Sequence, residues 1–289
     1  MRHLFQSECV RIWLMLAPAL AVILLLFGGG VVVGFQQSIG YVPVLGLTTP
    51  TLRHYGEILS DQSFRSSLLL TLYISVTGTL LATMLAVMAA LVLRHRFRGS
   101  GLATMVFQLP LPAPHLVAAA GIIMLLTQSG LFARMLYQLG GLAAPGDFPA
   151  LVYDRWQVGT LLVYLWKEVP FIGIAVLAVL KSVGNDYEEA ARTLGANAWQ
   201  RFRYILLPLI LPSVVSTSAI VFAYMFGSFE VRLLLGKRHP TTLPVAAYRA
   251  YIDPDLGRRP ESMAMGMVIT AVVVLLLEFY RRLARKMTG

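Results

Sequence analysis

Lys181-Ser-Val-Gly-Asn-Asp-Tyr-Glu-Glu-Ala-Ala-Arg-Thr-Leu-Gly-Ala-Asn-Ala-Trp-Gln-Arg-Phe-Arg-Tyr-Ile-Leu-Leu-Pro208 is a polar stretch held between two long apolar runs, and its reading decides the fold. Gly184-Asn185 closes the run before it. Asp186 is a candidate N-cap with Glu189 three residues on, the spacing of a capping box. Good helix formers over Tyr187–Leu194 then predict a short helix. Gly195 supplies the backbone freedom to turn, and Ala196–Leu206 predicts a second helix ending near Pro208. In that second helix Ala198, Phe202, Ile205 and Leu206 recur at helical spacing, while Arg201 and Arg203 point elsewhere. The small residues Ala190 and Ala191 beside a carboxylate permit close approach by a partner surface.

The flanking runs give this knuckle its setting. The chain has 289 residues, 57% hydrophobic and only 13% charged. A soluble domain carries about 25% charged residues, so this composition excludes a soluble enzyme, a disordered chain and a disulfide scaffold. A bilayer core about 30 Å thick takes about 20 apolar helical residues. Six stretches qualify: Ile12–Phe35, Ser66–Leu93, Gly99–Ala133, Val158–Leu180, Leu206–Phe229 and the shorter Ser262–Leu277. The first follows Arg2 and Arg11 and contains Ala17-Pro-Ala19, yet it exceeds the 7–15 apolar residues of a signal peptide, so a retained helix is expected. The single Cys9 allows no intrachain disulfide. The fold class expected is an all-α integral membrane protein with six spans.

Six spans place both termini on one side. With them inside, the inner segments are about twice as dense in Lys and Arg as the outer ones, the pattern of the positive-inside rule. Arg94, Arg96 and Arg98, then Arg281, Arg282, Arg285 and Lys286, carry it, and the basic last outer loop opposes it. The net charge of +10 follows from these loops rather than from nucleic-acid binding. Pro110, Pro112 and Pro114 predict a break near Leu109–Pro114 in the third run. Such a break is tolerated at membrane depth where protein or a water-filled cavity surrounds it.

Glu189, Ala190, Ala191, Gly195, Ile205, Leu207 and Pro208 match, letter by letter and in spacing, the Glu-Ala-Ala signature of binding-protein-dependent ABC importer permeases. The chain resembles that family over roughly residues 66–280. The resemblance implies the type I importer fold, with residues 1–65 as an N-terminal helix and external loop and 66–289 as a five-helix core bearing a coupling loop at 181–208. It implies that the loop docks on a dimer of cytoplasmic ABC ATPases, which bind ATP and magnesium; this chain would bind no cofactor. A second permease subunit, identical or a sister chain, and an extracytoplasmic solute-binding protein complete the assembly, in a bacterial inner membrane. Glu189 would be the charged contact, Ala190 and Ala191 the packing face and Gly195 the turn; alternatively Glu189 caps its own helix.

No phosphate-loop motif is present, and His3, His54, His95, His115 and His239 show no metal-ligand spacing. Lys167 and Glu168 fall within the fourth run, where a charge costs about 2.5–3.5 kcal/mol. They line a solute path, pair with another span, or, for Lys167, snorkel outward. An ion-gradient-driven transporter using these two charges is the alternative function. Phe226-Gly-Ser-Phe-Glu-Val-Arg232 is similar to the spermidine/putrescine branch of the family, which implies a polyamine-like solute. Tyr224, Phe229 and Glu230 would then meet a cation. Arg232 stands where that branch often has proline, and a cation beside Glu230 counts against a cationic solute.

Overall fold

The computed structural model describes residues 2–95, 97–184 and 186–288. Arg96, one of the basic markers above, and Asn185, at the end of the fourth run, lie outside the described residues. The described residues are helical, with one isolated antiparallel bridge between Val42 and Leu47 and no strand among them. In chain order the helices are α1 (Arg2–Ile23), α2 (Gly29–Ser38), α3 (Arg53–Ser60), α4 (Gln62–Leu93), α5 (Ser100–Gln108), α6 (His115–Leu126) and α7 (Leu131–Gln138). They continue with α8 (Val158–Val183), α9 (Asp186–Thr193), α10 (Ala198–Arg201), α11 (Leu207–Gly227), α12 (Glu230–Leu235), α13 (Leu243–Tyr251) and α14 (Arg259–Thr288). A π turn at Leu24–Gly28 joins α1 to α2, and another at Phe202–Leu206 joins α10 to α11.

Six segments are long and apolar enough to cross a membrane: Val10–Ser38, Gln62–Leu93, His115–Gln138, Val158–Val183, Ala198–Gly227 and Leu256–Arg282. The six expected spans are therefore present, with one displaced. The third crossing was expected over Gly99–Ala133 and lies at His115–Gln138. The prolines end α5 at Gln108, and a helix of that length rises only about 14 Å. α5 is thus a half-helix, and the crossing begins on the far side of the break.

The chain divides into two compact units, residues 1–61 with 247–268, and residues 62–246 with 269–289. In the first, Ser38 ends α2 completely buried; its hydroxyl donates to the Phe35 carbonyl (2.7 Å) and accepts from Tyr55 of α3 (2.7 Å). The Val10–Ser38 crossing keeps its most apolar stretch entirely unburied by the rest of the chain, a helix dressed for lipid or for another subunit.

The second unit is built on α4, α8 and α11. α4 turns a stripe of small residues inward, from Ser67, Thr71 and Ser75 to Ala82, Ala86 and Ala90. Between membrane helices such a stripe substitutes close backbone approach for hydrophobic driving force. The approach is tight: a Cβ on Gly78 would lie 2.1 Å from Met225 Cε of α11, and one on Gly173 of α8 would lie 2.6 Å from the Phe107 ring of α5. Thr71 also accepts the Leu243 backbone N–H at 2.9 Å, tying the start of α13 to α4. At the start of α8, Asp154 accepts from the N–H groups of Trp156 (2.8 Å) and Val158 (2.9 Å), a carboxylate at a positive helix end.

Candidate functional site

The knuckle at 186–208 folds as two short helices about a glycine turn. α9 begins at Asp186, so the capping position falls on residue 185, outside the described residues, rather than on Asp186. Gly195 adopts φ +85°, where a side chain would be strained. The Gly195 N–H donates to Arg192 (3.0 Å) and the Ala196 N–H to Ala191 (3.0 Å), the paired bonds of a Schellman motif. Asn197 caps α10: its side chain accepts from the Gln200 N–H (2.9 Å), and Gln200 returns the bond to the Asn197 N–H (2.8 Å). Sequence reading passed over this Asn-x-x-Gln box, although the signal was there. Pro208, near the start of α11, has no N–H to give the preceding turn, and the ladder widens into the π turn just before it.

The two glutamates of α9 part company. Glu188 turns inward, meeting Arg94 at the end of α4 (2.5 Å) and Arg201 of α10 (3.8 Å), with both Arg94 and Glu188 side chains largely buried. Glu188 was not singled out from the sequence; it anchors the knuckle to the bundle. Glu189 and Ala190 are exposed, Ala191 is half-buried, and Glu189 has no hydrogen bond or ion pair among the described residues. Ala191, Gly195 and Ile205 line a groove of about 420 Å³ between the two helices. Leu194 and Tyr204 on its rim are 88% and 73% exposed, which leaves apolar surface uncovered at the most polar part of the chain. Leu207 is half-buried and Pro208 exposed.

Inside the bundle the break at 109–114 is closed by Lys167. Its ammonium donates to the carbonyls of Pro110 (2.6 Å), Leu111 (2.9 Å) and Ala113 (2.6 Å). Three prolines deprive this turn of helical donors, and the three protons of one ammonium take up the stranded carbonyls. Lys167 is 6% exposed. It neither pairs with another span nor snorkels, and its donors are in use.

Glu168, its neighbour, points elsewhere. His115, the first residue of α6, places Nε2 3.0 Å from Glu168 Oε1, and its ring lies 4.6 Å from that of Tyr224 on α11. Tyr224 is within coulombic reach of both Glu168 and Glu230. Glu230 opens α12 and accepts from the Ser228 hydroxyl at 2.9 Å. The structure thus assembles Glu168, Tyr224 and Glu230, adds His115 and Ser228, and leaves Lys167 behind them. Phe229 is half-buried at the start of α12. No spacing in the sequence marks His115 as the partner of a residue in another span.

Arg232 does not neutralise Glu230. It is 3% exposed, and its guanidinium folds back on Gly236, where an added Cβ would lie 3.1 Å from Arg232 Cζ. None of its three nitrogens has a hydrogen-bond partner among the described residues. Burial pushes its pKa down to about 10, against the pull of Tyr164 and Asp154. Among the described residues no group of His, Cys, Asp and Glu side chains is arranged to hold a metal.

A span broken at depth, closed by a buried ammonium and followed by a partly open acidic and aromatic cluster, defines a polytopic membrane transport protein rather than an anchor. Residues 78–289 match the family described as binding-protein-dependent transport system inner membrane component, and the chain belongs to that family. The probable ABC transporter permease protein y4oQ of Sinorhizobium fredii is 30% identical over 251 residues, covering 83% of this chain and 80% of that one. The sulfate transport system permease protein CysT of Escherichia coli is 26% identical over 235 residues, 81% of each chain. A bacterial ABC transporter involved in the import of the acidic polysaccharide alginate has a chain of the same fold, with a TM-score of 0.79 over 99% of both chains at 21% identity. The protein is a multi-pass inner-membrane permease subunit of an ABC importer.

Proposed function

We propose that the chain forms one half of a solute pathway whose other half is a second permease subunit, identical or a sister chain. A dimer of cytoplasmic ABC ATPases, holding ATP and magnesium, drives it through α9 and α10, and an extracytoplasmic binding protein delivers the solute. The core is residues 66–289, with the knuckle and both termini on the cytoplasmic side, in keeping with the density of Lys and Arg there. The observation that carries this reading is the exposed Glu189-Ala190 face, unpartnered and seated on a glycine turn that Glu188 locks to the bundle. A driven conformational change needs such a contact, since ATP can shift the bundle between two packings only through a surface it shares with one of them. The ion-gradient alternative loses its first coupling charge, because Lys167 already donates to three carbonyls.

For the solute we propose a small organic cation of the polyamine type. Glu168 and Glu230 on either side of Tyr224 supply carboxylates and an aromatic face, and Arg232 is turned away from them. The sulfate named for CysT and the alginate named for the solved transporter are anions, so the solute differs within the fold. The test is ATP-dependent uptake of a radiolabelled diamine by proteoliposomes holding the whole transporter. Glu168→Gln and Glu230→Gln should each lower uptake about tenfold, the equivalent of about 1.4 kcal/mol, with the complex still assembled. Uptake of sulfate in place of the diamine would overturn the cationic solute and leave the coupling reading standing.

A further inference from the structure

At the end of the bundle that carries the knuckle, a cleft of about 770 Å³ opens between the end of α4, the start of α5 and the end of α8. Arg94, His95, Ser100, Thr104, Gln108 and Lys181 line it, a polar and cationic wall. Arg94 is occupied by Glu188, and its Nε donates to His95 at 3.3 Å. Lys181 is exposed and, among the described residues, has no carboxylate partner. The first turn of α5 adds backbone donors, since its N-cap is Gly99, which brings no side chain to satisfy them.

A second hollow adjoins the first. A groove of about 710 Å³, almost wholly apolar, runs between α4 and α5, and Leu93 and Leu102 of its lining stand beside the polar cleft. Met88, Val92, Leu102 and Val106 along it are each more than half exposed. Leu93, 9% exposed, belongs to both walls. A cationic pocket at a helix end, opening onto an apolar groove that runs along the span, is complementary to one kind of molecule: an anion that carries an acyl chain.

We propose that this double hollow is a binding site for an anionic phospholipid, its phosphate in the cleft by Lys181 and the first turn of α5, one acyl chain in the α4–α5 groove. Basic pockets between membrane helices hold anionic headgroups by the same electrostatics. The site sits at the root of the knuckle, because Arg94 lines the cleft and also holds Glu188. The assignment does not depend on which solute is carried.

The test is native mass spectrometry of the assembled transporter titrated with dioleoyl phosphatidylglycerol or dioleoyl phosphatidylcholine. The wild type should retain the glycerol lipid over the choline lipid. Lys181→Glu should lower that retention by roughly fivefold, the loss of about 1 kcal/mol for one surface cation. Gly101→Leu fills the cleft from a position whose Cβ would meet nothing within 4 Å, so the fold should tolerate it while the lipid is excluded. Equal retention of both lipids, or full retention in both variants, overturns the proposal. Displacement of the glycerol lipid by excess inorganic phosphate also overturns it, by making the site one for a free anion.

Discussion

Lys167 and Glu168 are neighbours in α8, as Glu188 and Glu189 are in α9, and in both pairs consecutive residues face different surroundings. Adjacent helical positions diverge by about 100°, so one member can be fixed into the protein while the other remains available. In the bundle the fixed member is Lys167, with three carbonyls on its ammonium, and Glu168 reaches the polar cluster through His115. In the knuckle the fixed member is Glu188, held by Arg94, and Glu189 stands exposed. The difference lies in the medium. Within the membrane no charge is left without a compensating group, so Glu168 too is paired; at the knuckle water solvates Glu189 at no cost until a partner replaces it.

The largest effect that would break this comparison belongs to Lys167. Lys167→Met leaves three carbonyls at a proline-rich turn without a donor and should cost about 3 kcal/mol or more in stability, read as a fall in unfolding temperature in detergent. A variant as stable as wild type would mean the turn closes itself. Next comes the knuckle: Glu188→Gln should cost about 1.5–3 kcal/mol through loss of a charge-assisted bond to Arg94, whereas Glu189→Gln should stay within about 0.5 kcal/mol. Equal effects in thermal unfolding would erase the distinction between fixed and free. Arg232 sharpens the comparison from the other side, as a buried charge with no partner. Arg232→Met should leave stability unchanged or raise it by about 1 kcal/mol, since it removes an uncompensated desolvation cost. A clear loss of stability would show that the guanidinium has a stabilising partner.

Much of the fold was legible because charge-free runs bounded by Arg65, Arg94 and Arg282 mark where helices can enter lipid. The break near Pro110–Pro114 was legible for a similarly local reason, as was the glycine turn at Gly195. The position of the third crossing was not, because apolarity alone joins α5 to α6 and hides that α5 is too short. Within the site, Glu168, Tyr224 and Glu230 could be picked as chemically apt residues, but their meeting depends on the packing of α6, α8 and α11. Nothing local says that His115 reaches Glu168, that Lys167 turns toward the prolines, or that Glu188 rather than Glu189 faces the bundle. Arg232 misled for the same reason: two residues from Glu230 in sequence, it folds back on Gly236, which leaves room for it.

The account's central claim is that the knuckle transmits ATP-driven motion through its exposed face. The most direct measurement is solute-dependent ATP hydrolysis by the complete transporter carrying Glu189→Lys, with Glu188 and Arg94 untouched. The account predicts normal membrane insertion and unfolding temperature together with loss of solute-stimulated hydrolysis and uptake. Uptake at the wild-type rate would contradict it.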